Sequence, residues 1–125
     1  MLLLLTIATD IDTQERLIRK ITQLLPQNSF ELFQRFGDLR RFMAENPARS
    51  EIIIMQAASQ NDLIDFQEIR KSLQNPQIIL VIPDREERTL FLAHQLHPRY
   101  LVSADSDFND LVSVLQQKLQ KKLWS

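Results

Sequence analysis

The chain contains no cysteine, which excludes disulfide bonds, thiolate metal ligands and thiol catalysis. Glycine is almost as scarce, since Gly37 is the only one. A Walker A loop or a dinucleotide-binding fingerprint needs several glycines, because the backbone there must approach phosphate closely. Nucleotide-binding motifs of those kinds are therefore excluded.

Neither sign of charge is in excess. Lys and Arg number 15 and Asp and Glu number 16, which gives a formal net charge of −1. Proteins that bind polyanions usually carry a basic surplus, so we expect no nucleic-acid partner. No stretch approaches the roughly 20 apolar residues that cross a bilayer, so we expect no membrane partner. The opening apolar run has no Lys or Arg ahead of it and no small-residue cleavage site after it, which predicts a cytoplasmic protein without a signal peptide.

Five short apolar runs are the main structural signal of the sequence. Four of them are nearly continuous rather than alternating, which is typical of strands covered on both faces in a parallel sheet. The runs are Leu2–Ala8, Phe30–Phe33, Ile52–Met55, Ile78–Ile82 and Tyr100–Val102. We therefore expect five buried strands.

Helical periodicity fills the intervals between these runs. Apolar residues recur there at spacings of three and four, and prolines or Asn-Pro pairs follow several of the stripes, where a helix has to end. The stripes cover residues 17–25, 39–43, 63–73, 90–96 and 108–123. Each predicted strand is thus followed by a predicted helix.

The alternation of strands and helices predicts the fold. It favours a doubly wound parallel sheet with helices on both faces. Right-handed crossovers leave few topologies, and a flavodoxin-like (βα)5 three-layer sandwich with strand order 2-1-3-4-5 is the usual one at this length. Residues 1–125 are predicted to form a single domain of this class.

Acidic residues follow four of the five predicted strands. They are Asp10, Asp12, Asp62, Asp84, Asp105 and Asp107. Since the carboxyl ends of parallel strands share one edge, the acids are candidates for a Mg²⁺ site. The simpler interpretation is helix capping by Asp12, Asp62, Asp84 and Asp107, because capping requires no ligand. Asp10 is the acid that capping uses least, so a residual metal contact is assigned to Asp10 with Asp12.

No arrangement of residues argues for catalysis. The sequence shows no Ser-His-Asp set and no pair of acids with a catalytic spacing, and no general base or nucleophile accompanies Asp10 and Asp12. We expect no enzymatic activity, apart from a residual chance of metal-dependent chemistry at those two acids. We also expect no bound cofactor, with Mg²⁺ as the one candidate.

Three stretches resemble the receiver domains of two-component response regulators. The stretch EIIIMQ at 51–56 is similar to the family's third strand, an acid and four apolar residues before the phosphorylated Asp. The stretch IILVIP at 78–83 resembles the fourth strand, and YLVS at 100–103 resembles the fifth. The resemblance spans the whole chain through five strand–helix units in the same order.

The same resemblance implies that the phosphorylation site is degenerate. Gln56 stands at the phosphoacceptor position, and an amide cannot form the acyl phosphate. Ile82 stands where the family has a hydroxyl, and Ser103 stands where it has a Lys. Tyr100 keeps the position of the switch aromatic. The chain therefore looks like a pseudo-receiver, in which the scaffold remains without the phosphorylation chemistry.

A scaffold of this kind is expected to act through binding. The leading hypothesis is a phosphorylation-independent protein-interaction module in signal transduction or regulation, which binds a protein partner or forms a homodimer. The resemblance points to the face of the fourth helix, fifth strand and fifth helix. Apolar residues beyond the core stripes support that face. They are Phe91, Leu92, Val114 and Trp124.

The alternative hypothesis is a small-ligand or metal-responsive flavodoxin-like domain. Such a domain binds its ligand at the carboxyl ends of the strands. A flavin phosphate is disfavoured, because Asp10 and Asp12 would repel it.

Overall fold

The computed structural model describes residues 2–6, 11–24, 30–45, 52–71 and 77–124, without the side chains of 2–6, 24 and 118–124. Strands and helices alternate along these segments. The strands are β1 (Leu2–Thr6), β2 (Phe30–Phe33), β3 (Ile52–Gln56), β4 (Gln77–Ile82) and β5 (Tyr100–Ser103). The helices are α1 (Ile11–Leu24), α2 (Phe36–Glu45), α3 (Gln60–Lys71), α4 (Glu87–His94) and α5 (Asn109–Trp124). The predicted α/β alternation is confirmed.

The strands form one parallel sheet in the order β2-β1-β3-β4-β5. This is the order expected from right-handed crossovers on both faces. The register pairs Gln56 with Val81 and pairs Ile82 with Ser103. The ends of β3, β4 and β5 therefore lie side by side at the carboxyl edge of the sheet.

β3 and β4 are buried on both faces of the sheet, which explains why their apolar runs are continuous. Side chains alternate between the faces along each strand. On β3, Ile53 and Met55 pack with residues of α2, α3 and α4, whereas Ile52 and Ile54 pack with residues of α1 and α5. Burying one such side chain contributes about 1.5–3 kcal/mol to the stability of the fold. The side chains of β3 therefore stabilise both cores, one on each face of the sheet.

The boundaries of the described strands differ from the predicted ones by one or two residues, while α1 to α4 begin three to six residues before their predicted apolar stripes. β3 includes Gln56, β4 begins at Gln77, and β5 continues through Ser103. Residues 7 and 8 of the first predicted strand lie outside the described residues.

In the described segments, none of the helices combines the length with the apolar character that crossing a membrane would require.

Candidate functional site

The carboxyl edge of the sheet holds the positions that the receiver resemblance singles out. Gln56, Ile82 and Ser103 end three neighbouring strands, and all three side chains are buried. Ile82 packs into the core beside α2, α3 and α4. Gln56 follows Ile52 and Ile54 in the alternation, so it belongs to the opposite face, beside α1 and α5. The three positions are adjacent in the sheet but lie on different faces.

Gln56 is the unusual residue of this edge. It is 2% exposed, and its Oε1 atom has no hydrogen-bond partner among the residues that the structure describes. Leaving a buried polar atom unsatisfied costs about 1–3 kcal/mol. The neutral amide supplies neither a nucleophile nor a metal-binding carboxylate. An apolar side chain of similar size is therefore expected to make the fold more stable at this position.

Asp62 serves the start of α3, but not as its N-cap. α3 begins at Gln60, which places Asp62 inside the first turn. Its Oδ2 accepts hydrogen bonds from the N–H groups of Ala58 at 2.8 Å and Ser59 at 3.2 Å. This is the returning half of a capping box with Ser59. The N-cap is therefore Ser59, three residues before the predicted cap at Asp62. The Asp62 carboxylate still stabilises the start of the helix through these two hydrogen bonds.

Asp84 likewise acts ahead of α4 without capping it. The N-cap of α4 is Glu86, whose side chain makes no capping bond. Asp84 Oδ1 accepts hydrogen bonds from the Glu86 N–H at 2.9 Å and from the Thr89 hydroxyl at 2.6 Å. Gln60 Nε2 donates to Thr89 Oγ1 at 3.0 Å. These bonds tie α3 and α4 together at the carboxyl edge.

Replacing Thr89 with valine is expected to destabilise the protein by about 1–3 kcal/mol, because it leaves part-buried polar partners unsatisfied. Thr89 is fully buried, so water cannot replace its hydroxyl. The free energy of unfolding in urea measures the effect. Thr89→Ser keeps the hydroxyl and is the matched control. Unchanged stability in Thr89→Val would show that the hydrogen bonds of the hydroxyl do not stabilise the fold.

The loop between β5 and α5 has its own carboxylates. Asp107 Oδ1 accepts a hydrogen bond from the N–H of Asn109 at 3.0 Å. α5 begins at Asn109, so the N-cap position belongs to Phe108 and the predicted cap at Asp107 is corrected by one residue. A hydrogen bond from the Ser103 side chain holds the pKa of the Asp105 carboxyl below its usual 3.8. Desolvation opposes this lowering, and the backbone and nearby arginines add smaller contributions to it.

Ser103→Ala is expected to raise the pKa of Asp105, since the Ser103 hydrogen bond is the largest cause of the lowering. The lowered pKa contributes stability above the usual pKa, and that stability disappears as the pH falls through the folded-state value. In Ser103→Ala the folded-state pKa is higher, so this stability should disappear at a higher pH. An NMR titration of the Asp105 side chain measures the shift. Ser113→Ala, an exposed change on α5, should leave the titration unmoved, and an unmoved titration in Ser103→Ala would contradict the assigned cause.

Arg16 holds this loop from α1. Its Nη1 donates to the Ser106 carbonyl and its Nη2 to the Ala104 carbonyl, both at 2.8 Å. Its guanidinium also lies 5.3 Å from the ring centroid of Phe108. Phe108 is fully buried with φ of 63°, a left-handed conformation that is strained for a bulky residue. Sequence reasoning missed this clamp, since its ends are about 90 residues apart.

Of the two predicted metal contacts, Asp10 and Asp12, the structure describes only Asp12. Asp10 lies outside the described residues. α1 begins at Ile11, so Asp12 lies within the first turn of the helix, and its side chain is exposed. Its predicted N-cap role is therefore wrong. Across the segments that the structure describes, no group of three or more His, Asp or Glu side chains is placed to hold a metal ion.

The predicted interaction face is only partly exposed. Phe91 is 62% exposed, whereas Leu92 is 7% exposed and packs against the sheet, which removes Leu92 from the face. Val114 and Tyr100 are half-buried against the core beside α1 and α5. Trp124 belongs to α5, and its side chain lies outside the described residues.

Ile64 on α3 is a further exposed apolar residue that sequence reasoning did not single out. It is 42% exposed, although it lies in an apolar stripe that was assigned to the core.

Searches with protein-family models, curated proteins and solved structures gave no match to the chain.

Proposed function

We propose that the chain is a degenerate receiver-like domain with a flavodoxin-like fold, and that it works as a protein-interaction module without phosphorylation. The observation that carries the proposal is the buried, neutral Gln56 at the end of the central strand. The strand order β2-β1-β3-β4-β5 supports the fold assignment. The proposed location is the cytoplasm, and no enzymatic activity is proposed.

The chemistry at the carboxyl edge supports loss of the switch. Phosphoryl transfer to a side chain needs an activated nucleophile, and the Gln56 amide is not one. Ile82 offers no hydroxyl to a phosphoryl group, and Ser103 offers no positive charge. Ser103 is instead engaged with Asp105. The polar groups of this edge thus hold loops and helix ends in place.

Binding is proposed to use the exposed side of α4. Phe91 presents most of its ring to solvent on a helix whose other apolar residues pack inward. A single exposed apolar residue is unremarkable, but an exposed aromatic ring is the type of side chain that most often dominates binding energy. We propose Phe91 as the central residue of the binding face.

The test combines a phosphoryl mimic with a surface variant. Chemical crosslinking of the purified chain, alone and in an extract, is compared with and without Mg²⁺ and beryllofluoride. Products that are unchanged by the mimic and lost in Phe91→Ser are expected. Products that form only with the mimic would contradict independence from phosphorylation, and unchanged products in Phe91→Ser would contradict the face.

The second candidate is a small-ligand domain, and the unpartnered Oε1 of Gln56 favours it. A ligand with a hydrogen-bond donor would satisfy this atom at the edge where such folds bind ligands. Thermal unfolding in the presence of candidate ligands tests this function. A ligand that raises Tm for the wild type but not for Gln56→Met would establish it in place of the interaction module.

A further inference from the structure

A small cavity lies where α3 ends beside the turn between α4 and β5, at the edge of the sheet opposite the carboxyl edge. Its volume is about 220 Å³, which is below the range that holds drug-sized ligands. The side chains that line it come from both elements. They are Gln67, Arg70 and Lys71 of α3, and Gln95 and His97 of the turn. These described lining residues bring two permanent positive charges and an imidazole, and none of them is a carboxylate.

Arg70 is positioned by a hydrogen bond that leaves its other donors free. Its Nε donates to the Leu96 carbonyl at 2.7 Å, and the side chain is half-buried. Within the segments that the structure describes, its two Nη nitrogens donate to no residue. An arginine fork whose stem is already fixed loses little conformational entropy when it binds two oxygens of one anion. Arg70 is therefore preorganised for an oxyanion.

Other N–H donors of the cavity are also free to bind a ligand. Gln67 Nε2 donates to Gln95 Oε1 at 2.8 Å, which occupies the acceptor of Gln95 and leaves its Nε2 to donate. Lys71 Nζ gives one of its three N–H groups to Glu68 Oε1 at 3.1 Å, in an exposed ion pair. The His97 imidazole has no hydrogen-bond partner among the described residues. Even with Glu68 counted, the charge around the cavity is positive.

His97 occupies a backbone position that favours glycine. Its φ is 50°, in the left-handed region, and its N–H donates to the His94 carbonyl at 3.1 Å just beyond the end of α4. Helices commonly end in a residue of this conformation, and glycine is the usual one because it avoids the strain. Strained backbone at other residue types is concentrated at ligand sites. The imidazole thus stands where the fold alone would favour glycine.

The helix dipole explains only part of this arrangement. Basic side chains in the last turn of a helix interact favourably with the negative end of its dipole, which accounts for Arg70 and Lys71. The dipole of α3 does not account for an imidazole on a second element, at a strained position, that lines the same cavity. Residues 72–76, which follow α3 in the sequence and lie outside the described residues, carry no charge. They therefore add no carboxylate to this end of the helix.

We infer that this cavity binds a small phosphate dianion, either inorganic phosphate or the phosphate group of a small phosphomonoester. Three or four oxygens around one phosphorus accept hydrogen bonds from donors on both elements, whereas a carboxylate offers only two oxygens. The dianion also matches the permanent charges of Arg70 and Lys71. The site lies at the opposite edge of the sheet from Gln56 and does not include Phe91. The inference therefore goes beyond the proposed function and does not depend on it.

Amide NMR spectra of the labelled full chain test the site by titration with sodium phosphate at neutral pH. The resonances of Lys71, Gln95 and His97 are expected to shift and to reach saturation at millimolar concentration or below. Glycerol 3-phosphate is the second arm: tighter binding would identify a phosphomonoester as the ligand, and equal or weaker binding would identify inorganic phosphate. The absence of shifts, shifts reproduced by sodium chloride at equal ionic strength, or tighter binding of succinate would overturn the inference.

Two variants separate binding from folding. Arg70→Gln should weaken phosphate binding at least about tenfold, because it removes the charge-assisted fork. His97→Gly should weaken binding about fivefold and raise Tm, because it removes the imidazole and relieves the strained backbone. A purely structural residue would not lower affinity while raising Tm. Unchanged phosphate affinity in both variants would overturn the inference, whatever their stability.

The matched controls are exposed residues of α4 that do not line the cavity. Arg88→Gln removes an arginine charge, and His94→Gln removes an imidazole three residues before His97. Both should keep the wild-type affinity for phosphate. Losses equal to those of Arg70→Gln and His97→Gly would show that the protein attracts the anion through its overall charge, and would overturn the assignment of the cavity.

Discussion

Replacing Gln56 with aspartate is expected to destabilise the protein by about 3–5 kcal/mol at neutral pH, because an ionised carboxylate would be left buried without a compensating charge from the residues that the structure describes. Gln56 is 2% exposed, and the residues paired with it in the sheet are Thr6 and Val81, which carry no charge. The variant is also expected to remain unphosphorylated, since Ile82 and Ser103 still lack the partner groups of a phosphoryl site. The free energy of unfolding and the intact mass after treatment with acetyl phosphate measure the two effects.

The pH dependence of this variant follows from burial. Burial raises the pKa of a carboxyl group, so the folded state would bind the proton more tightly than the unfolded state. The destabilisation is absent below the ordinary aspartate pKa of about 3.9, and it grows as the pH rises until the carboxyl ionises in the folded state. Urea unfolding of the variant and the wild type should therefore converge in acid and diverge toward neutral pH.

Gln56→Met is the matched control, because methionine has a similar length and no polar hydrogen-bonding group to satisfy. It is expected to raise the free energy of unfolding by about 1–2 kcal/mol, since it removes the unpartnered Oε1. A loss of stability in Gln56→Met would show that the amide is satisfied in the folded protein. Stability close to that of wild type in Gln56→Asp would show that the site is hydrated, and would contradict the account of the edge.

Replacing Phe108 with alanine is expected to cost about 3–5 kcal/mol, the usual loss for a fully buried aromatic side chain. The ring packs with the core beside α1 and α5, and its backbone is held at φ of 63°. Alanine would leave the strained backbone in place while removing the packing that supports it. Urea unfolding at neutral pH measures the change.

Arg16 is expected to contribute part of the stabilisation that the Phe108 ring provides. Arg16→Ala removes two hydrogen bonds to carbonyls and the contact with the Phe108 ring, so it should cost about 1–3 kcal/mol. The double variant should lose less than the two single losses together, because each single change already breaks the ring contact. Arg19→Ala, one turn along α1, should change stability by less than about 0.5 kcal/mol. Strict additivity would contradict a clamp.

The fold was predictable because its signals are local and repeated. Continuous apolar runs such as Ile52–Met55 reflect burial on both faces, and the intervening helical stripes made the α/β class readable. The acids after the strands were predicted to cap helices. The structure shows that Asp62, Asp84 and Asp107 bond near helix starts at positions shifted from the predicted caps, because the exact turn into each helix decides which residue is the cap.

The candidate surface was less predictable. Four consecutive apolar residues at 90–93 required at least one to be exposed, but only the packing of α4 on the sheet shows that Phe91 is exposed and Leu92 is buried. The exposure of Ile64 depends on how α3 and α4 lie together, which no local pattern encodes. The Arg16 clamp joins α1 to the loop before α5, so sequence spacing carries no signal for it.

The central claim is that this scaffold works without a phosphorylation switch, and amide NMR spectra of the labelled protein test it most directly. Spectra are recorded alone, with millimolar Mg²⁺, and then with beryllofluoride. We predict that the resonances of Gln56, Ser103 and Tyr100 do not move. Coupled shifts that begin at the carboxyl edge and reach Tyr100 would show a working ligand-driven switch and would contradict the claim.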